Sequence, residues 1–130
     1  MPAALWAVVI MVLLSLPPND YSEWSWRDVI PYADKWVHAF LFGVQAFLLA
    51  YGLKRVWSVK RFFIIILTAA LLSGVYGIAT EILQALFFTG READIWDAVA
   101  DLAGVCAGIA VFLFGRRLIL RSERKKSRTV

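Results

Sequence analysis

The sequence predicts an all-α fold, an integral membrane four-helix bundle with short connectors. Three observations predict it. The 130-residue chain is 61% hydrophobic and 15% aromatic, with a mean hydropathy of +0.68, where a soluble domain is about 45–50% apolar. Its apolar residues fall into four runs separated by polar or basic breaks. The ionisable residues inside those runs recur at helical spacing, three and four apart. A water-soluble fold of this length has too little interior for so much apolar surface, and a chain this short has room for one domain. In hydrocarbon each unpaired amide group costs several kcal/mol, so the spanning segments must be helical.

The first run covers about 3–16 and stops at Pro17-Pro18. It is short for a span, for which about 20 residues are needed; tilt, local thinning or flanking residues make up such a difference. A cleaved signal peptide is the competing reading, but no Lys or Arg precedes the run and no small-x-small site follows it. The connector over 17–34 carries Tyr21, Trp24, Trp26 and Tyr32, rings suited to the headgroup zone. Part of it, around Tyr21 to Ile30, is expected to lie along the interface. The second span is expected over 35–53, the third over 61–88 and the fourth over 95–118, with a basic tail at 119–130.

Orientation follows from the basic residues. Lys54, Arg55, Lys60 and Arg61 separate the second and third spans, and Arg116, Arg117, Arg121, Arg124, Lys125, Lys126 and Arg128 end the fourth. The other side holds Arg27, Lys35 and Arg91. The positive-inside rule puts both termini in the cytoplasm of a cell whose inner (plasma) membrane the chain crosses several times. The net charge of +4 therefore reads as topology and contact with anionic lipid, not as nucleic-acid binding. Cys106 stands alone within an apolar run, which excludes a disulfide framework and reads as a small packing residue.

Polar residues inside spans are costly and usually face a bundle interior or a water-filled cavity. On the second helix His38, Phe42, Gln45, Leu49 and Gly52 share a face, with Asp34 and Lys35 above them. The third carries Gly74, Gly77, Glu81 and Gln84, and the fourth Asp94, Asp97, Asp101, Gly104 and Gly108. In each of the last two stripes glycines sit deep and polar groups sit towards the outside. Gly104-x-x-x-Gly108 has the spacing that lets helices approach closely. Asp101 lies about 10 Å below Asp94 along the helix, where it needs a proton, a partner or water.

These residues, in this order, resemble the VanZ-like family of small membrane proteins, over most of the chain from Ser15-Leu16-Pro17 onward. The motifs are Asp34-Lys35-x-x-His38, Glu81-x-x-Gln84 and Gly90-Arg91-x-x-Asp94-x-x-Asp97-x-x-x-Asp101-x-x-Gly104-x-x-x-Gly108. The chain departs from the family at Asp101, where Asn is frequent. The resemblance makes residues 1–118 a VanZ-like transmembrane domain followed by the cytoplasmic tail. It implies a role at the cell envelope and a link to tolerance of the glycopeptide teicoplanin, but supplies no reaction.

The residues leave several roles open. His38 is an acid–base group or a hydrogen-bond donor to Glu81 or Asp97. Lys35 and Arg91 bind an anion, or Lys35 snorkels while Arg91 neutralises Glu92 or Asp94. Glu81 and Gln84 cap a substrate cavity or join an interhelical hydrogen-bond network. Asp94, Asp97 and Asp101 with Glu81 and His38 also suit a divalent cation, but their spacing matches no metal signature, so no metal or cofactor is assigned. Ser73 and Cys106 sit too deep to serve the outer cluster as nucleophiles, and Phe62, Phe63, Phe112 and Phe114 pack or face lipid. The first functional reading is a binder of an anionic lipid-linked, cell-wall-related or glycopeptide-related molecule, with Asp34, Lys35, Gln84, Arg91, Asp94 and Asp101 forming the pocket. The second is an intramembrane enzyme using His38, Glu81 and Asp97 as catalytic groups on such a molecule. The third is a structural or assembly subunit. Partners expected are membrane lipids and the ligand itself; the oligomeric state is not legible.

Overall fold

The computed structural model describes residues 2–15, 31–57, 61–87 and 94–126, with side chains to Arg121. It contains four helices: α1 over Pro2–Ser15, α2 over Ala33–Val56, α3 over Phe62–Phe87 and α4 over Ile95–Lys126. The helical class expected from the sequence is therefore found. Three helices are long and apolar enough to cross a membrane, and α1 is a shorter apolar helix. At 14 residues, α1 reaches about 21 Å, less than the ~30 Å hydrocarbon thickness. The fourth helix runs past the expected end at Leu118 to Lys126, into the basic tail. The expected interfacial segment from Tyr21 to Ile30 lies outside the described residues.

The surface supports the membrane reading. Leu5, Phe40, Phe63, Val75, Leu86, Trp96, Val111 and Phe114 are all exposed large apolar side chains, and together they come from all four helices. A soluble monomer rarely carries so much contiguous apolar surface. Cys106, read from the sequence as a small packing residue, is exposed on this outward face.

The bundle is organised around α2, whose most extensive interface is with α4. Both start at the same end and run parallel, while α3 returns between them. The α2–α4 contact is close because only small residues, Ala39 and Gly43 on α2 and Gly104 and Gly108 on α4, meet there. A methyl group at Gly104 would overlap the main chain at Ala39, and one at Gly108 would overlap the Gly43 carbonyl. Gly52, expected on the same polar face of α2, meets nothing within 4 Å and contributes no such approach. Below the seam the core is apolar, with Phe42, Ala46, Ala50, Ala69, Val105, Ile109 and Phe112 buried together. Phe62 stacks on Phe112 at 6.3 Å, and the Arg116 guanidinium covers Phe62 at 3.8 Å.

Hydrogen bonds from side chains fix α1 in place. The Trp6 indole donates to the Leu41 carbonyl at 3.0 Å, and the Tyr76 hydroxyl donates to the Ala7 carbonyl at 2.6 Å. Near the end of α1 the Gln84 amide donates to the Leu14 carbonyl at 2.9 Å. These pairings set α1 antiparallel to α2 and against the half of the bundle that holds the ionisable cluster. In hydrocarbon such bonds are worth about 0.6–2 kcal/mol each.

Candidate functional site

Two tiers of ionisable side chains meet where α2 and α4 begin and α3 ends. The upper tier centres on Lys35. Its Nζ lies 2.7 Å from Asp94 Oδ2, 2.8 Å from Asp97 Oδ1 and 3.3 Å from Asp34 Oδ2. Asp94 serves twice. Its Oδ1 accepts the Trp96 amide at 2.9 Å, capping the first turn of α4, while Oδ2 takes Lys35. The Lys35 ammonium and then the Trp96 amide hold the Asp94 carboxyl below the usual carboxylate range. Asp97, in the first turn of α4, also suits the positive end of the helix dipole. On the other side, α2 opens from Tyr32, whose φ of 58° is left-handed, a conformation that costs a non-glycine residue about 1–3 kcal/mol. The Tyr32 carbonyl accepts the Lys35 amide at 3.0 Å, so this turn aims Lys35 at the start of α4.

The lower tier is buried. His38 Nδ1 lies 2.9 Å from Asp101 Oδ1 and 3.6 Å from Glu81 Oε1. The side chains of His38, Glu81 and Asp101 are 7%, 9% and 2% exposed. The sequence pointed to Glu81 or Asp97 as the hydrogen-bond partner of His38; Asp101 takes that place. Depth explains it. His38 is one turn below Lys35 on α2, and Asp101 is one turn below Asp97 on α4, so parallel helices pair the residues tier by tier. Gly77 on α3 leaves the room: a methyl there would come within 3.0 Å of Asp101 Oδ2.

Not every polar atom here is satisfied. Gln45 Oε1, Ser73 Oγ, Glu81 Oε1 and Asp101 Oδ2 are buried with no hydrogen-bond partner among the described residues. Buried polar groups are normally paired, and an orphan costs about 1–3 kcal/mol. One ligand atom each from His38, Glu81 and Asp97 lies within 4.8 Å of the others, a grouping that a metal ion could bridge.

The structure thus brings together Asp34, Lys35, His38, Glu81, Asp94, Asp97 and Asp101. Gln84 is engaged with α1, and Arg91 lies outside the described residues. Sequence reasoning missed the α2 half of the glycine seam, although Ala39-x-x-x-Gly43 has the same small-residue spacing as Gly104-x-x-x-Gly108. It also missed Trp6 and Tyr76 as anchors of α1; a ring with a polar tip in mid-span is the signal that could have found them.

The chain belongs to the VanZ/LLP1 family, whose model matches residues 3–119. No curated protein and no solved structure matches it.

Proposed function

We propose that this VanZ/LLP1 membrane protein binds the head of a lipid-linked, cell-wall-related molecule at the two-tier cluster, on the extracytoplasmic side. The observation that carries the reading is the burial of acceptor atoms without donors where three helices converge. Glu81 Oε1 and Asp101 Oδ2 call for hydroxyl, amide or ammonium donors, and a sugar or peptide head offers them. Orientation is supported by the charge distribution. Lys54, Arg55, Arg61, Arg116 and Arg117 lie at the end of the bundle away from the cluster, and basic residues favour the cytoplasmic side.

An anionic group on the ligand is harder to accommodate than the sequence suggested. Lys35 already faces three carboxylates, so its charge is engaged. Arg27 and Arg91 are the other cations that the sequence assigns to this side. The His38–Asp101 hydrogen bond favours a second reading, an enzyme acting on the same molecule. A carboxylate that orients an imidazole is a recurrent acid–base arrangement.

Single replacements Glu81→Gln, Asp97→Asn and Arg91→Ala, scored for folded yield and for tolerance of teicoplanin, test the reading. Tolerance lost with yield unchanged supports a ligand site, and parallel loss of both supports a structural subunit. Saturable binding of a lipid-linked precursor without turnover selects the binder; turnover selects the enzyme.

A further inference from the structure

We propose that His38, Glu81 and Asp97 form a divalent-cation site that joins α2, α3 and α4. The proposal rests on the reading that this cluster meets the ligand, and deepens it. An ion held here supplies the positive charge that Lys35 does not offer to a phosphate or carboxylate.

Three observations converge. The first is distance: ligand atoms from the three residues lie within 4.8 Å of one another. An ion with bonds of about 2.1 Å draws them in by less than about 1 Å each. The second is the orphaned acceptor. Glu81 is 7% exposed, and its Oε1 has no hydrogen-bond partner among the described residues. A buried carboxylate oxygen left without a hydrogen-bond donor costs about 1–3 kcal/mol, and coordination removes that cost. The third is the arrangement behind the ligands. Asp101 Oδ1 sits 2.9 Å from His38 Nδ1, which leaves Nε2 as the ring atom for the ion, and a carboxylate on the other nitrogen fixes the ring of a metal-binding imidazole. Lys35 does the corresponding work for Asp97, contacting Oδ1 at 2.8 Å.

The donor set narrows the ion. One imidazole with two carboxylates suits Mn²⁺, Fe²⁺ or Zn²⁺ better than Ca²⁺, which takes oxygen ligands. The ligands come from three helices and none is adjacent in sequence, so the site exists only in the folded bundle.

The test uses the full chain in detergent, stripped with EDTA and titrated with Mn²⁺ while free Mn²⁺ is read by electron paramagnetic resonance. One ion per chain is expected, with a rise in unfolding temperature on binding. Glu81→Gln and Asp97→Asn are each expected to weaken binding at least tenfold, while Gly52→Ala, where nothing lies within 4 Å, binds as the wild type does. Absence of saturable binding by the wild-type chain overturns the proposal, whatever the variants do. So does equal binding by folded Glu81→Gln and Asp97→Asn. Repeating the titration with a lipid phosphate, with and without Mn²⁺, separates this proposal from the reading beneath it. Mn²⁺ binding with no lipid-phosphate binding leaves the ion site and refutes the anionic ligand. Lipid-phosphate binding that EDTA does not change, with no Mn²⁺ bound, does the reverse.

Discussion

Along the α2–α4 interface two regions lie one helical turn apart and are built on opposite terms. At Ala39, Gly43, Gly104 and Gly108 the helices touch main chain to main chain, with no room for a methyl group at Gly104 or Gly108. Just above, His38 and Asp101 bridge the same two helices through a buried hydrogen bond, and acceptor atoms around them are left without donors. The seam is filled and apolar, whereas the cluster is polar and incompletely satisfied. One helix pair thus separates holding the bundle together from presenting chemistry, which makes the two jobs separable by mutation.

The largest effect is expected at the seam. Gly104→Leu forces the helices apart and should cost about 3 kcal/mol or more, seen as lost folded yield or as earlier unfolding in detergent. Gly52→Ala, where nothing is near, should change stability by no more than about 1 kcal/mol, and towards greater stability. The cluster comes next. Asp101→Ala removes the partner of His38 and should cost about 1–3 kcal/mol. Glu81→Gln leaves the fold within about 1 kcal/mol of wild type while ligand-dependent tolerance is lost. If Glu81→Gln destabilises as much as Asp101→Ala, the cluster is a second seam and the contrast fails.

Smaller effects sharpen the boundary. Gln84→Leu loosens the hold on Leu14 and should cost about 0.6–2 kcal/mol, measurable as faster proteolysis of α1. Lys35→Met should cost about 1 kcal/mol, a modest value because Asp34 and Asp94 are 46% and 40% exposed and water screens such pairs. The least is expected from acid. Because Lys35 and the Trp96 amide hold the Asp94 carboxyl low, its contribution to stability is present above the ordinary aspartate range. It is lost as pH falls through that range and below, so an acid titration of unfolding should flatten in Asp94→Asn.

Much of this was legible in the residues because two periodicities are plain in them. Apolar runs gave the helices, and spacings of three and four placed Glu81, Asp97 and Asp101 on inward faces. Gly104 and Gly108 announced a close approach, but its other half was not read because Ala39 and Gly43 lie off the polar stripe that drew attention to α2. The pairing of His38 was also hidden: it depends on the relative depth of two parallel helices, which sequence spacing within either one does not fix. The role of Gln84 is set by where the end of α1 falls, a tertiary fact with no local signature.

The seam has a mechanical consequence. Where the Ala39 and Gly43 carbonyls press on glycines of α4, the two helices cannot slide or roll without first separating, so α2 and α4 move as a single plank. Any widening that admits a bulky head between the tiers is then a displacement of α3, which reaches the plank through Gly74 and Gly77, and it strains α1, which Trp6 ties to α2 while Tyr76 and Gln84 tie it to α3. At the basic end Arg116 lies over Phe62 and holds α3 to the plank, whereas Glu81 sits near the opposite end of α3, where that contact restrains it least.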